Sequence, residues 1–162
     1  MGTSEEQGKE KKKVNAAKTF PVPYDLVISN ENIFNTNRFL FESSKEQIIT
    51  KALNLHSKGN INEAAKYYQY FISQGFNDPI VFSNYGTILK DRGSLKEAEL
   101  CTRKAIELKP NFAITHYNLG NILTDLGKLK EAELSIRKAI ELNPDFVKAH
   151  FNLGNILSDL GK

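Results

Sequence analysis

His116 and His150 are the residues most suggestive of chemistry in this chain: two imidazoles 34 positions apart. Two imidazoles can begin a metal site, but a structural zinc takes four ligands and no third falls at a matching spacing. The position is apolar or aromatic elsewhere in the chain, so the two rings are expected to fill a packed aromatic slot. His56 stands apart, near the end of its segment. Cys101 is the only cysteine. It can form neither an intramolecular disulfide nor a cysteine-based metal site, and no histidine is placed to activate it as a nucleophile. No glycine-rich loop cradles a phosphate. The residues point to no catalytic group, no metal and no cofactor, and the chain reads as non-enzymatic.

The spacing of those histidines is the period of the whole chain. The stretch from Asn111 to Pro144, NFAITHYNLGNILTDLGKLKEAELSIRKAIELNP, returns when the sequence is shifted by 34 residues. One copy earlier stands SNYGTILKDRGSLKEAELCTRKAIELKP, from Ser83; one copy later stands HFNLGNILSDLGK, from His150. A fixed period of this size marks a stacked-repeat architecture. The repeats run over 45–78, 79–112 and 113–146, with a half repeat at 147–162.

Within a repeat the apolar spacing predicts two helices. In the third copy Tyr117, Leu119, Gly120, Ile122, Leu123 and Leu126 form one face. Gly127 and Lys128 break it. Ala132, Leu134, Ile136, Ala139, Ile140 and Leu142 form the second, which Pro144 ends. Helices this short are marginal alone in water, so they must pack on each other and on the next repeat. A glycine inside a helix costs about 1 kcal/mol against alanine and needs a reason. Gly120 with Ala132 and Ala139 leaves room for two backbones to approach. Gly86, Ala98 and Ala105 repeat the arrangement, whereas the first copy has Ala52, Ala64 and a large Phe71. The pairs Glu99–Arg103 and Glu133–Arg137 are spaced for ion pairing on the outer faces.

The start of the chain differs. Residues 1–20 are polar and lysine-rich, with a GKEKKK run, and are expected to be disordered. A basic tail could touch an anionic surface; a solvated leader is the simpler reading. Residues 21–44 are too apolar for a linker, and Pro21 and Pro23 argue against a long helix. They are read as an extended segment that packs on the repeats or docks on a partner. Ser44 to Gln47 has the spacing of a capping box.

The net charge of +3 is too small to argue for nucleic acid. No apolar run approaches the length of a membrane span, and no secretory signal is visible. A reducing, cytoplasmic setting suits the lone cysteine.

The pattern Leu119-Gly120, Leu123, Ala132, Ala139, Pro144, with Tyr85-Gly86, Leu89, Ala98, Ala105 and Pro110 one repeat earlier, resembles the tetratricopeptide repeat (TPR). The resemblance covers 45–162. The tryptophan usual near the start of the first helix is replaced by Phe82, His116 and His150. It implies an all-α, right-handed superhelical solenoid of about three and a half helical hairpins. The first helices would line a concave groove that binds an extended peptide or a partner's helix.

The family turns the second, sixth, ninth and thirteenth positions of each repeat toward that groove. These are Ile80, Asn84, Thr87 and Asp91; Ile114, Asn118, Asn121 and Asp125; Lys148, Asn152, Asn155 and Asp159; and, in the first repeat, Glu46, Thr50, Leu53 and Ser57. Asn84, Asn118 and Asn152 then form a column. An asparagine carries donor and acceptor and can bracket a peptide amide without reading its side chain. The column resembles the asparagine ladder in the repeat arm of O-linked N-acetylglucosamine transferases, which holds extended substrate by its main chain. Asparagine is also common here across tetratricopeptide repeats, and near-identical copies make three asparagines one observation repeated. The column breaks at Thr50. Asp91, Asp125 and Asp159 fall at helix C-termini, where the macrodipole disfavours a carboxylate. Either a hydrogen bond in the turn offsets this, or the groove suits basic or neutral peptides. No basic clamp for an acidic C-terminal tail is visible on the stripe.

The expected role is a protein-interaction module. The alternative is the N-terminal, substrate-recruiting arm of a larger enzyme, such as a glycosyltransferase, that continues beyond Lys162. A weaker option is a self-assembling scaffold: the last helix keeps a full apolar pattern without a polar outer face, so self-association through it is expected.

Overall fold

The computed structural model describes residues 45–162, and these form seven helices. They are α1 Lys45–Ser57, α2 Ile61–Ser73, α3 Pro79–Asp91, α4 Leu95–Leu108, α5 Ala113–Asp125, α6 Leu129–Leu142 and α7 Val147–Asp159. No strand occurs among the described residues. The expectations for 1–20 and 21–44, and the serine of the Ser44 capping box, lie outside them.

Consecutive helices pair as antiparallel hairpins, α1 with α2, α3 with α4 and α5 with α6, and each hairpin stacks on the next into a solenoid. The hairpin turns follow from glycine. After α5, Gly127 sits at φ +72°, a left-handed conformation that only glycine adopts without strain. It lets the Lys128 amide reach back to the Leu123 carbonyl at 2.8 Å, closing the helix end. Gly59, Gly93 and Gly161 take the same conformation at the same repeat position. At the start of α3 the Asp78 carboxylate accepts from the Ile80 and Val81 amides at 2.9 and 3.2 Å, with Pro79 as the first helical residue.

Two apolar clusters make up the core. One gathers Ile48, Ala52, Ala64, Tyr68, Phe71 and Val81; the other gathers Leu119, Leu123, Ala132, Ile136, Ala139 and Ile156. The small residues act as expected. A Cβ added to Gly120 would lie 2.4 Å from Ile136 Cδ1, and one added to Gly86 would lie 2.5 Å from Thr102 Oγ1. Phe71, the departure in the first repeat, is fully buried and packs on Phe76 with ring centroids 5.3 Å apart.

One core assignment fails. Leu134 is 68% exposed, as is its equivalent Leu100 at 70%. Leu134 lies two residues from both Ala132 and Ile136. Two residues turn a helix by about 200°, which puts it on the opposite side. The pairs Glu99–Arg103 and Glu133–Arg137 do form, at 2.8 and 3.0 Å. Glu99 also takes Lys128, Arg103 reaches Glu131, and Glu133 takes Lys162, so the pairs join repeats as well as turns.

Candidate functional site

The stripe residues meet through one recurring contact. Asn118 Nδ2 donates to Ser83 Oγ at 3.4 Å and Thr87 Oγ1 at 3.3 Å. One repeat on, Asn152 Nδ2 donates to Tyr117 Oη at 3.3 Å and Asn121 Oδ1 at 2.7 Å. The rule is the same both times: the asparagine at position six donates back to positions five and nine of the preceding first helix. In the first repeat those positions are Ile49 and Leu53, which accept nothing. Asn84 turns instead to the Tyr68 hydroxyl on α2, at 3.2 Å.

This arrangement divides each amide. The NH2 groups of Asn84, Asn118 and Asn152 are used inside the protein. Their Oδ1 atoms take no donor among the described residues, and none of them is a buried orphan, so they remain open to solvent.

His56, read as isolated, belongs to this network. Its Nδ1 lies 3.0 Å from the Tyr68 hydroxyl, and the two rings meet edge to face. Burial pushes the Tyr68 phenol above its ordinary pKa, and the bond from Asn84 partly offsets that. Spacing could not reveal Tyr68, because the other copies have Thr102 and Ile136 there.

The aspartates lie at the C-terminal ends of their helices, and Asp91 and Asp125 are exposed. Lys90, overlooked in the sequence because the later copies have Thr124 and Ser158, partly meets their charge. Its Nζ is 3.3 Å from Asp91 and 3.7 Å from Asp125. No ion pair reaches Asp159 among the described residues. Lys90, Asn121, Asp125, Asn152, Asn155 and Asp159 line a single open cavity of about 260 Å³. Five of the nine stripe residues thus surround one space. Ile80 and Ile114 stay partly exposed at position two of the stripe, offering apolar contact beside it. Thr50 is exposed and does not extend the ladder.

The histidines correct an expectation. They do not fill a buried aromatic slot. His116 is half-buried and His150 exposed, and each sits 2.7 Å from a carbonyl oxygen, of Pro110 and Pro144 respectively. A carbonyl can only accept, so Nε2–H donates in both. The ring thereby ties the start of one first helix to the end of the preceding second helix. Phe82, with no such donor, is buried at the same position. Among the described residues no group of three or more His, Cys, Asp or Glu could hold a metal ion. Burial and the nearby Glu97 push the Cys101 thiol up to about 11, away from the range of a reactive thiolate. No helix among the described residues is long and apolar enough to cross a membrane.

Tetratricopeptide-repeat family models match residues 86–127, 113–146 and 136–162. Residues 86–162 carry tetratricopeptide repeats. Among solved structures, this TPR solenoid is similar to the first TPR of Spaghetti (RPAP3) bound to the HSP90 peptide SRMEEVD. The identity is 20% over 74% of this chain and 95% of that one, with a TM-score of 0.68. It is similar to the Sgt2 TPR domain from Aspergillus fumigatus, at 17% identity over 72% of this chain and 79% of that one, TM-score 0.63. It is also similar to a mutant O-GlcNAc transferase from Thermobaculum terrenum, at 24% identity and TM-score 0.64. That match spans 71% of this chain and only 22% of the transferase. Comparison by sequence with curated proteins finds no match. At these identities the likeness is one of fold.

Proposed function

We propose that this TPR domain is a protein-interaction module whose stripe, Asn84, Thr87, Asp91, Asn118, Asn121, Asp125, Asn152, Asn155 and Asp159, receives an extended peptide or partner segment. The observation that carries the reading is the divided amide. With their NH2 groups held by the preceding repeat, the three asparagines offer a column of fixed Oδ1 acceptors, one per repeat. An extended peptide supplies backbone N–H donors to such a column whatever its side chains. A structural relative binds a peptide, which supports the general role. That peptide, SRMEEVD, is acidic, whereas the three aspartates of this stripe outnumber its two cations, Lys90 and Lys148. A neutral or basic segment is the better match here. A cytoplasmic setting belongs to the same reading.

The test is selection of unstructured peptides from a display library against the wild-type chain and against an Asn84→Ala/Asn118→Ala/Asn152→Ala variant. Enrichment of neutral or basic sequences on the wild type, lost on the variant, is expected. Equal enrichment on both would sink the reading.

A second reading has one observation in its favour, the likeness to about a fifth of an O-GlcNAc transferase. On it the solenoid is the substrate-recruiting arm of a longer enzyme. A reading frame that continues past the Lys162 codon into a catalytic domain would support it. The apolar outer side of α7, with Val147 and Phe151 exposed, supports a further association surface on which copies of the chain would meet at high concentration.

A further inference from the structure

We propose that the outer side of the second helices is a docking surface for the chain's own residues 21–44. Leu100 and Leu134 stand on that side one repeat apart, 70% and 68% exposed. Neither exposure is that of a terminal repeat. α5 packs on α4, with α6 behind it, and Leu100 on α4 is still as exposed as Leu134. Leu134 borders an open cleft of about 420 Å³ between α4, α5 and α6. Half-buried Ile106 and buried Leu119 line it from beneath. Contiguous exposed apolar surface of this kind marks an interaction site. The rim cations are already engaged, Arg103 with Glu99 and Glu131, and Lys138 with Glu141. What the cleft offers is apolar contact.

The occupant follows from composition and reach. Residues 21–44 carry two apolar runs, Leu26-Val27-Ile28 and Phe39-Leu40-Phe41. The segment lies outside the described residues, but its point of attachment does not. It joins α1 at Lys45, whose Nζ donates to the Asn77 carbonyl at 3.0 Å. That contact sets the start of α1 beside the loop that follows α2. The bond from His116 to the Pro110 carbonyl sets the start of α5 beside the end of α4 in the same way. Starts of first helices and ends of second helices thus share one edge of the solenoid. The cleft lies toward that edge, beside Glu107 and His116. Helices pack about 8–10 Å apart, so one or two repeats separate Lys45 from the cleft by roughly 10–20 Å. The segment, if extended, spans up to about 80 Å. The nearer side of α1 presents Glu46, Gln47, Thr50, Lys51 and Asn54, which offer the runs no large apolar side chain. The proposal does not depend on peptide binding in the groove.

The test uses the full chain, with Cys101→Ser and a nitroxide on Asn35→Cys, between the two runs. Isoleucine and leucine methyl groups are observed by NMR. The Ile106 and Leu134 signals are expected to disappear, whereas those of Ile80 and Ile114, on the stripe, persist. Leu100→Asp/Leu134→Asp should restore the Ile106 signal. Both leucines are exposed, so this variant should stay folded, and circular dichroism verifies it. Asn118→Ala should leave the signal loss unchanged, which separates this surface from the groove. Persistence of the Ile106 and Leu134 signals overturns the proposal, as does signal loss indifferent to Leu100→Asp/Leu134→Asp. Loss at Ile80 and Ile114 also overturns it, because the segment would then lie in the groove. So does a loss reproduced by adding NMR-silent, nitroxide-bearing chain to chain without the nitroxide, because that outcome assigns the surface to a second copy.

Discussion

Asn152 donates its side-chain amide to Asn121 Oδ1 at 2.7 Å, so one repeat's groove position is held by a groove position of the repeat before it. The contact ties the stripe proposed to receive a peptide to the stacking of the repeats. Replacing Asn121 with leucine reproduces the first repeat, where Leu53 offers nothing to its neighbour. Loss of this bond should cost about 0.5–1.5 kcal/mol. Urea unfolding of Asn121→Leu, Asn152→Ala and the double variant gives the coupling directly, and strict additivity would show that the bond contributes nothing.

Equivalent glycines should respond in opposite ways. Gly120 faces Ile136, which is fully buried and has nowhere to go, so Gly120→Leu should cost about 1–3 kcal/mol or more. Gly154 faces open space, so Gly154→Ala should stabilise by about 0.5–1 kcal/mol through helix propensity alone. Thermal melts of the two variants should move in opposite directions.

Thr102 carries the one buried polar side-chain atom without a hydrogen-bond partner among the described residues. An unsatisfied hydroxyl of this kind costs about 1–3 kcal/mol. Thr102→Val keeps the shape and removes the hydroxyl, so it is expected to raise the unfolding midpoint. A lower midpoint would mean that the hydroxyl makes a useful contact, such as one to the Gly86 backbone it abuts.

Glu99 carries a pH signature. The Lys128 ammonium, and then Arg103, hold its carboxyl below the usual value of 4.5. A depressed pKa in the folded state contributes stability above the unfolded value, and that contribution is lost as pH falls through the folded one. Glu99→Gln should therefore be less stable than wild type at pH 7, with the gap closing once the pH drops below the folded pKa of Glu99. A gap that stayed constant from pH 7 to strongly acidic conditions would exclude this origin.

The architecture was legible because it is periodic. Gly93 and Gly127 at the turns, Pro110 and Pro144 at the ends and Ala98 and Ala132 at the crossings each recur at the shift that the fold uses. What escaped the sequence is where the copies differ. Tyr68, Thr102 and Ile136 occupy one position with three chemistries, and only three-dimensional packing shows that the first bonds Asn84 and His56. Lys90 was invisible for the same reason. Leu134 was misplaced because an apolar residue was assigned to the nearest apolar face without counting its angle. The histidines were misplaced because their ring nitrogen was weighed against a hydrophobic slot and not against the proline carbonyl within its reach.

The joints between repeats are of two kinds. First helices are linked chiefly by neutral hydrogen bonds, Asn118 to Thr87 and Asn152 to Asn121, with the longer Lys90–Asp125 ion pair beside them; second helices and their leading turns are linked by charge, Lys128 to Glu99 and Arg103 to Glu131. Dissolved salt weakens exposed charge pairs far more than neutral hydrogen bonds. Most of the salt-sensitive joints thus lie along the second helices, so rising ionic strength is expected to loosen the solenoid on that side first.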